Sequence, residues 1–176
     1  MENGTAADKA ARMAGKAAVR TAVLFAALFA IGLATRFPAL QFPHLYALHG
    51  VLAAPFFSAL ALWHFNREGS VWSLFAAVAA LAAVLGCMSP VMGLGFLLLA
   101  ALLLASDALL RSCRPARRRL GCAVAFGALD YPCALAVGLL LGSYAFSLES
   151  LPTILVLGAL AAALSLLGAL PFAKAK

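Results

Sequence analysis

Six long apolar runs constrain this chain more than any other feature, at 17–35, 45–65, 70–87, 91–111, 119–142 and 152–172. A helix that crosses a bilayer needs about 20 apolar residues, with some tolerance for tilt. The runs show none of the period-two alternation that marks barrel strands, so spanning helices are the form expected. Short polar breaks separate them: "NREGS" at 66–70, "MSP" at 88–90, "RSCRPARRR" at 111–119 and "SYAFSLESLP" at 143–152. Charged residues are 11% of the chain, against roughly 25% in soluble domains. That is too few to cover a water-facing surface. The fold expected is an all-α integral membrane protein, a six-transmembrane-helix bundle forming one membrane domain over residues 1–176.

The net charge of +7 is explained by topology rather than by nucleic acid. With the N-terminus in the cytoplasm, one side of the membrane holds Lys9, Arg12, Lys16, Arg20, Arg67, Arg111, Arg114, Arg117, Arg118, Arg119, Lys174 and Lys176. Only Arg36 falls on the other side. This positive-inside pattern places both termini in the cytoplasm and the protein in the cell membrane. The basic segment 1–16 is long and is followed by a run of span length with no small-residue cleavage site, so it is not read as a cleavable signal. It has the composition of a short interfacial helix on the inner surface. Four cysteines, Cys87, Cys113, Cys122 and Cys133, show no metal-binding spacing and read mainly as small apolar residues, with Cys87 beside Met88 the least easily dismissed.

Polar residues are scarce enough to be examined singly. Two of the three histidines, His44 and His49, lie in "RFPALQFPHLYALHG", residues 36–50, together with Arg36, Phe42 and Tyr46. On the charge map this is the first outer loop. Pro38 and Pro43 disfavour helix just before them. The aromatic rings suit a membrane interface, whereas the histidines suit a metal or haem iron bound through neutral imidazole. On a regular helix His44 and His49 would stand about 140° apart, so one small ion would not be held easily by both. Arg36 has the fork geometry to hold a carboxylate. Met88 and Met92 flank the turn between the third and fourth runs, where a thioether could reach soft metal or iron. His64, in "LWHFNRE", reads as an anchor at the inner interface.

Two acids fall inside the runs. Asp107 is four residues before Arg111 and is expected to pair with it on the same helix face. Asp130, in "ALDYPC", lies about 16 Å deep by helical rise, and an acid at that depth is a candidate functional residue. Pro132 frees the Ala128 carbonyl, so Asp130, Tyr131 and that carbonyl would form a polar spot, either the floor of a substrate cavity or a proton site. Tyr144 and Glu149, in the outer loop after the fifth run, could help close such a site.

The first run carries a stripe of Ala18, Ala22, Ala26, Ala30 and Ala34, spaced every four residues. Such a face lets another helix approach closely, inside the same bundle or from a second protein. The six runs, this stripe and the closing "GALAAALSLLGALPFAKAK" with its basic tail resemble the substrate-binding S component of an energy-coupling factor (ECF) transporter. The resemblance covers nearly the whole chain, through loose motifs. It implies that Ala22, Ala26 and Ala30 meet a transmembrane coupling subunit, which works with two ATPase subunits. It also implies a small-molecule substrate held near the outer side, under the loop joining the first two spans.

No nucleophile elbow, HExxH or phosphate loop is present in the sequence. The chain is therefore read as a transport subunit rather than an enzyme, with ATP hydrolysis left to partners. The expected site comprises Arg36, Phe42, His44, Tyr46, His49, Met88, Met92, Asp130 and Tyr144. Its histidines are candidate ligands to the iron of haem carried as a substrate, with no permanently bound cofactor expected. Haem or a related tetrapyrrole is the substrate expected first and a vitamin second. A membrane redox protein holding haem permanently, and a ligand-free assembly protein, remain open.

Overall fold

The computed structural model describes residues 6–41, 48–67, 69–142 and 151–173. It is a bundle of six helices: α1 (Ala6–Gln41), α2 (Leu48–Asn66), α3 (Val71–Met88), α4 (Pro90–Leu109), α5 (Pro115–Leu140) and α6 (Leu151–Ala173). A short 3-10 turn, Leu110–Ser112, follows α4. No strand occurs among the described residues. All six helices are long and apolar enough to cross a membrane, and the protein is a multi-pass membrane protein. Their order and limits follow the apolar runs, because the polar breaks hold the residues that stop and start helices. Ser70 caps α3, its side chain accepting from the Ser73 amide at 3.1 Å. Pro90 and Pro115 open α4 and α5, where a missing N–H costs nothing.

The first helix departs from expectation at both ends. The basic segment is not a separate interfacial helix, because α1 is continuous over 36 residues from Ala6. Helical rise makes it about 54 Å long, well beyond a hydrocarbon core of about 30 Å, so its basic first turns project past the bundle. At the other end α1 runs through Pro38 to Gln41, so Arg36 lies on a helix and not in a loop. A proline in the last turn of a helix disturbs only one backbone bond.

The bundle is organised around α2, which packs on α5 and α6 and more lightly on α1. α3 pairs with α4, and α4 with α5. Of α2's span 61% is buried, against 11% for α1 and 17% for α6, so these two helices form the outer walls. The main core gathers Phe57, Leu74, Leu99 and Phe126 with their neighbours. Small residues allow the closest approaches, as expected where helices associate in lipid. A Cβ on Gly93 of α4 would stand 2.5 Å from the Gly86 Cα of α3. Between α2 and α6 the Ser58 hydroxyl donates to the Ser165 carbonyl at 2.7 Å.

Asp107 does not pair with Arg111. It accepts two bonds from Arg118, at 2.7 Å to Nε and 2.6 Å to an Nη. The tight turn brings the start of α5 back beside the end of α4, and a bidentate guanidinium fork outcompetes a partner on the same helix. His64 is buried at the same end of the bundle, its Nε2 2.8 Å from the Ser73 hydroxyl, linking α2 to α3. The basic end of the bundle thus holds the start of α1, the α2–α3 and α4–α5 turns, and the end of α6.

Candidate functional site

The opposite half of the bundle contains the most polar buried spot among the described residues. Arg36 from the end of α1, His49 from the start of α2 and Asp130 from α5 line one recess. Thr35, Phe57, Leu85 and Phe96 complete much of its wall. The same three polar residues, with Met92, Gly95 and Ala134, line an adjoining recess between α4 and α5. His49 is only 8% exposed and Asp130 6%, so both are withdrawn from solvent and lipid alike. They meet because the C-terminal halves of α1 and α5, which run parallel, converge with the start of α2, which runs antiparallel to both. Helical rise from Leu140 places Asp130 about 15 Å in from the far end of α5.

Arg36, His49 and Asp130 line the same two recesses. Arg36 is near enough for its charge to act on the Asp130 carboxyl. Among the described Lys, Arg, Asp and Glu residues, however, the direct ion pair is Arg118–Asp107 at the other end. Arg36 instead reaches the Met92 sulfur with one Nη. Thr35 satisfies its hydroxyl on its own helix, donating to the Ile31 carbonyl at 2.9 Å. The room inside the main recess that a water's centre can occupy is about 30 Å³, enough for about two waters. A guanidinium, an imidazole and a carboxyl around an apolar-walled space can bind a ligand bearing both an acidic group and hydrogen-bond donors.

Of the residues expected at the site, the structure brings together Arg36, His49, Met92 and Asp130. Met88 is not among them: it ends α3, 74% exposed, and lines neither recess. Phe42, His44, Tyr46, Tyr144 and Glu149 lie outside the described residues. His49 therefore stands apart from His44 as the histidine with a described place at the site. Tyr131 is buried but belongs to a separate cluster with Val51, Ala54 and Ala161 on the α6 side, so the expected polar spot does not include it. No group of three metal-ligating side chains occurs among the described residues. The sequence reading missed Thr35, Phe57 and Phe96. Thr35 had a signal, as a polar neighbour of Arg36 in an apolar run; the phenylalanines had none.

The alanine stripe has a definite orientation. Ala18, Ala22, Ala26, Ala30 and Ala34 are all exposed, while Leu24, Leu28 and Thr35 on the other face of α1 are buried. The stripe therefore does not pack within the bundle. The chain matches no protein-family model, no curated protein and no solved structure.

Proposed function

We propose that the protein is the substrate-capture S component of an ECF-type importer. The observation that carries this reading is the Arg36–His49–Asp130 cluster, a set of ionisable groups placed at cost inside a membrane bundle. The outward alanine face of α1 supports it, offering a coupling subunit a surface for close helix contact. The concentration of arginines at the other end supports an orientation with that end cytoplasmic and the recess outside, in the cell membrane. Binding and release need no catalytic group in this chain, and ATP hydrolysis belongs to the partner ATPases.

The recess favours a compact, vitamin-sized ligand with an acidic group. Arg36 would hold the acid in a fork, with the Asp130 carboxyl taking a donor on the ligand's other edge. With about 30 Å³ open to water, the site must widen to admit anything larger. A small ligand requires less displacement than a tetrapyrrole. The wall that can yield is α1, the least buried helix of the bundle. The haem expectation rests on the histidines, aromatics and Arg36 of residues 36–50; of these Arg36 and His49 line the recess, while Phe42, His44 and Tyr46 lie outside the described residues. Permanent haem ligation between two helices has less support, since the described histidines His49 and His64 lie at opposite ends and His64 bonds to Ser73.

The test is thermal unfolding of the full chain in detergent with a panel of acidic vitamins and with haemin. A ligand at 100 times its dissociation constant adds about 2.7 kcal/mol of stability. One vitamin-class compound should raise the midpoint in the wild type and fail to do so in Arg36→Gln. Stabilisation by haemin alone would replace the vitamin reading with the tetrapyrrole one. A response to no compound, together with no assembly alongside a coupling subunit, would overturn both.

A further inference from the structure

A groove at the basic end, between the ends of α2 and α6 and the start of α5, has no part in the site described above. Its floor is apolar, from Leu62, Leu120 and Phe172, and its rim is Arg114, Arg117 and Arg119. Space for water centres in it amounts to about 540 Å³, many times that in the recess around Asp130. No acidic residue lines it. This separates it from the groove on the other side of α5, where Asp107 sits among Arg111, Arg118 and Arg119 and already occupies Arg118. Arg114, Arg117 and Arg119 have no ion-pair partner among the described residues.

We infer that this groove is a binding site for the headgroup of an anionic phospholipid carrying one phosphodiester. Three features of the groove match three features of that molecule. The rim supplies guanidinium groups, which bind phosphate oxygens in a fork. The floor supplies an apolar track for the first methylenes of an acyl chain. The position, at the end of three spanning helices, is where a headgroup lies, and basic pockets between spans are known hosts for such groups. The start of α5 adds to the field: Arg114 caps it without a side-chain bond, and the first helical bond there is from the Arg118 amide to the Arg114 carbonyl. The Ala116 and Arg117 amides at the rim are thus left for an anion. The inference is independent of what the recess binds.

The experiment is native mass spectrometry of the full chain released from mixed micelles, with phosphatidylglycerol and phosphatidylcholine of identical acyl chains in equal amounts. The wild type should retain one phosphatidylglycerol in clear preference. Each basic residue near a membrane surface contributes about fivefold to anionic-lipid binding, so Arg114→Gln with Arg117→Gln should lower retention by about 25-fold. Arg111→Gln, in the groove that holds Asp107, should change it by less than about twofold. A thermal midpoint for each variant verifies folding, and Arg117→Lys, which keeps the charge but not the fork, should lose less lipid than Arg117→Gln. Inorganic phosphate at millimolar concentration should not displace the lipid, because it cannot use the apolar floor. Equal retention of both lipids, equal losses at Arg111 and at the rim pair, or displacement by phosphate would each overturn the inference.

Discussion

Two glycines of α6 make opposite demands, and replacing each by alanine tests how the bundle is packed. A Cβ on Gly168 would stand 2.6 Å from the Pro55 Cα and 2.7 Å from its carbonyl carbon. Both are backbone atoms of α2, which cannot swing aside as a side chain can. Relief requires α2 and α6 to part by about 1 Å to reach ordinary carbon contact of about 3.5–4.0 Å. The Ser58–Ser165 bond across the same interface is 2.7 Å long and would be stretched beyond useful geometry. Overpacking costs about 1–3 kcal/mol, and a hydrogen bond between spans averages about 0.6 kcal/mol. Set against the gain of up to about 1 kcal/mol in helix propensity that any Gly→Ala change brings, Gly168→Ala should destabilise by about 1–3 kcal/mol. At Gly158, ten residues earlier on the same helix, an added Cβ meets nothing within 4 Å. There alanine gains up to about 1 kcal/mol of helix propensity. Reversible unfolding in mixed detergent micelles, followed by circular dichroism, measures both. Equal effects at the two positions, or a stable Gly168→Ala protein, would refute the close approach of α2 and α6.

Other outcomes follow from the same geometry. Ala26→Leu should leave ligand binding within about twofold and abolish co-purification with a coupling subunit, since the position is exposed on α1; a loss of folding instead would place the stripe inside the bundle. A membrane-impermeant maleimide should label Cys87 from outside intact cells and Cys113 only after permeabilisation, because both are exposed, on opposite ends of the bundle. Cys122 and Cys133, buried in α5, should stay unlabelled until denaturation; labelling of Cys113 from outside would reverse the orientation. Phe57→Ala should cost about 3–5 kcal/mol, because Phe57 is 1% exposed and packs on Phe96 and Phe126 at ring distances of 6.3 Å and 5.6 Å; a loss below about 1 kcal/mol in the same unfolding assay would contradict this packing.

The six helices were legible because their breaks are chemical: Ser70, Pro90 and Pro115 stop and start helices by rules that operate within a few residues. The same local rules misled at Pro38, where the tertiary setting lets α1 continue to Gln41. Asp107 was misassigned because spacing along one helix reveals Arg111 but not the return of α5, which delivers Arg118. Arg36, His49 and Asp130 each stood out as polar residues in apolar surroundings. They were grouped in one expected site, but which of its members share a recess depends on three helices separated by long stretches of chain. The stripe was visible by period, but which way it faced was set by the opposite face of α1, where Leu24 and Leu28 enter the core.

In the proposed function the recess between Arg36, His49 and Asp130 captures a small acidic molecule. The most direct measurement is the mass of whatever non-lipid compound remains on the full chain purified from cells grown in rich medium. One compound of vitamin size bearing an acidic group should be found, retained by the wild type and by Met88→Ala but lost from Arg36→Gln. Retention of the same compound by Arg36→Gln, or lipid adducts alone on the wild type, would contradict it.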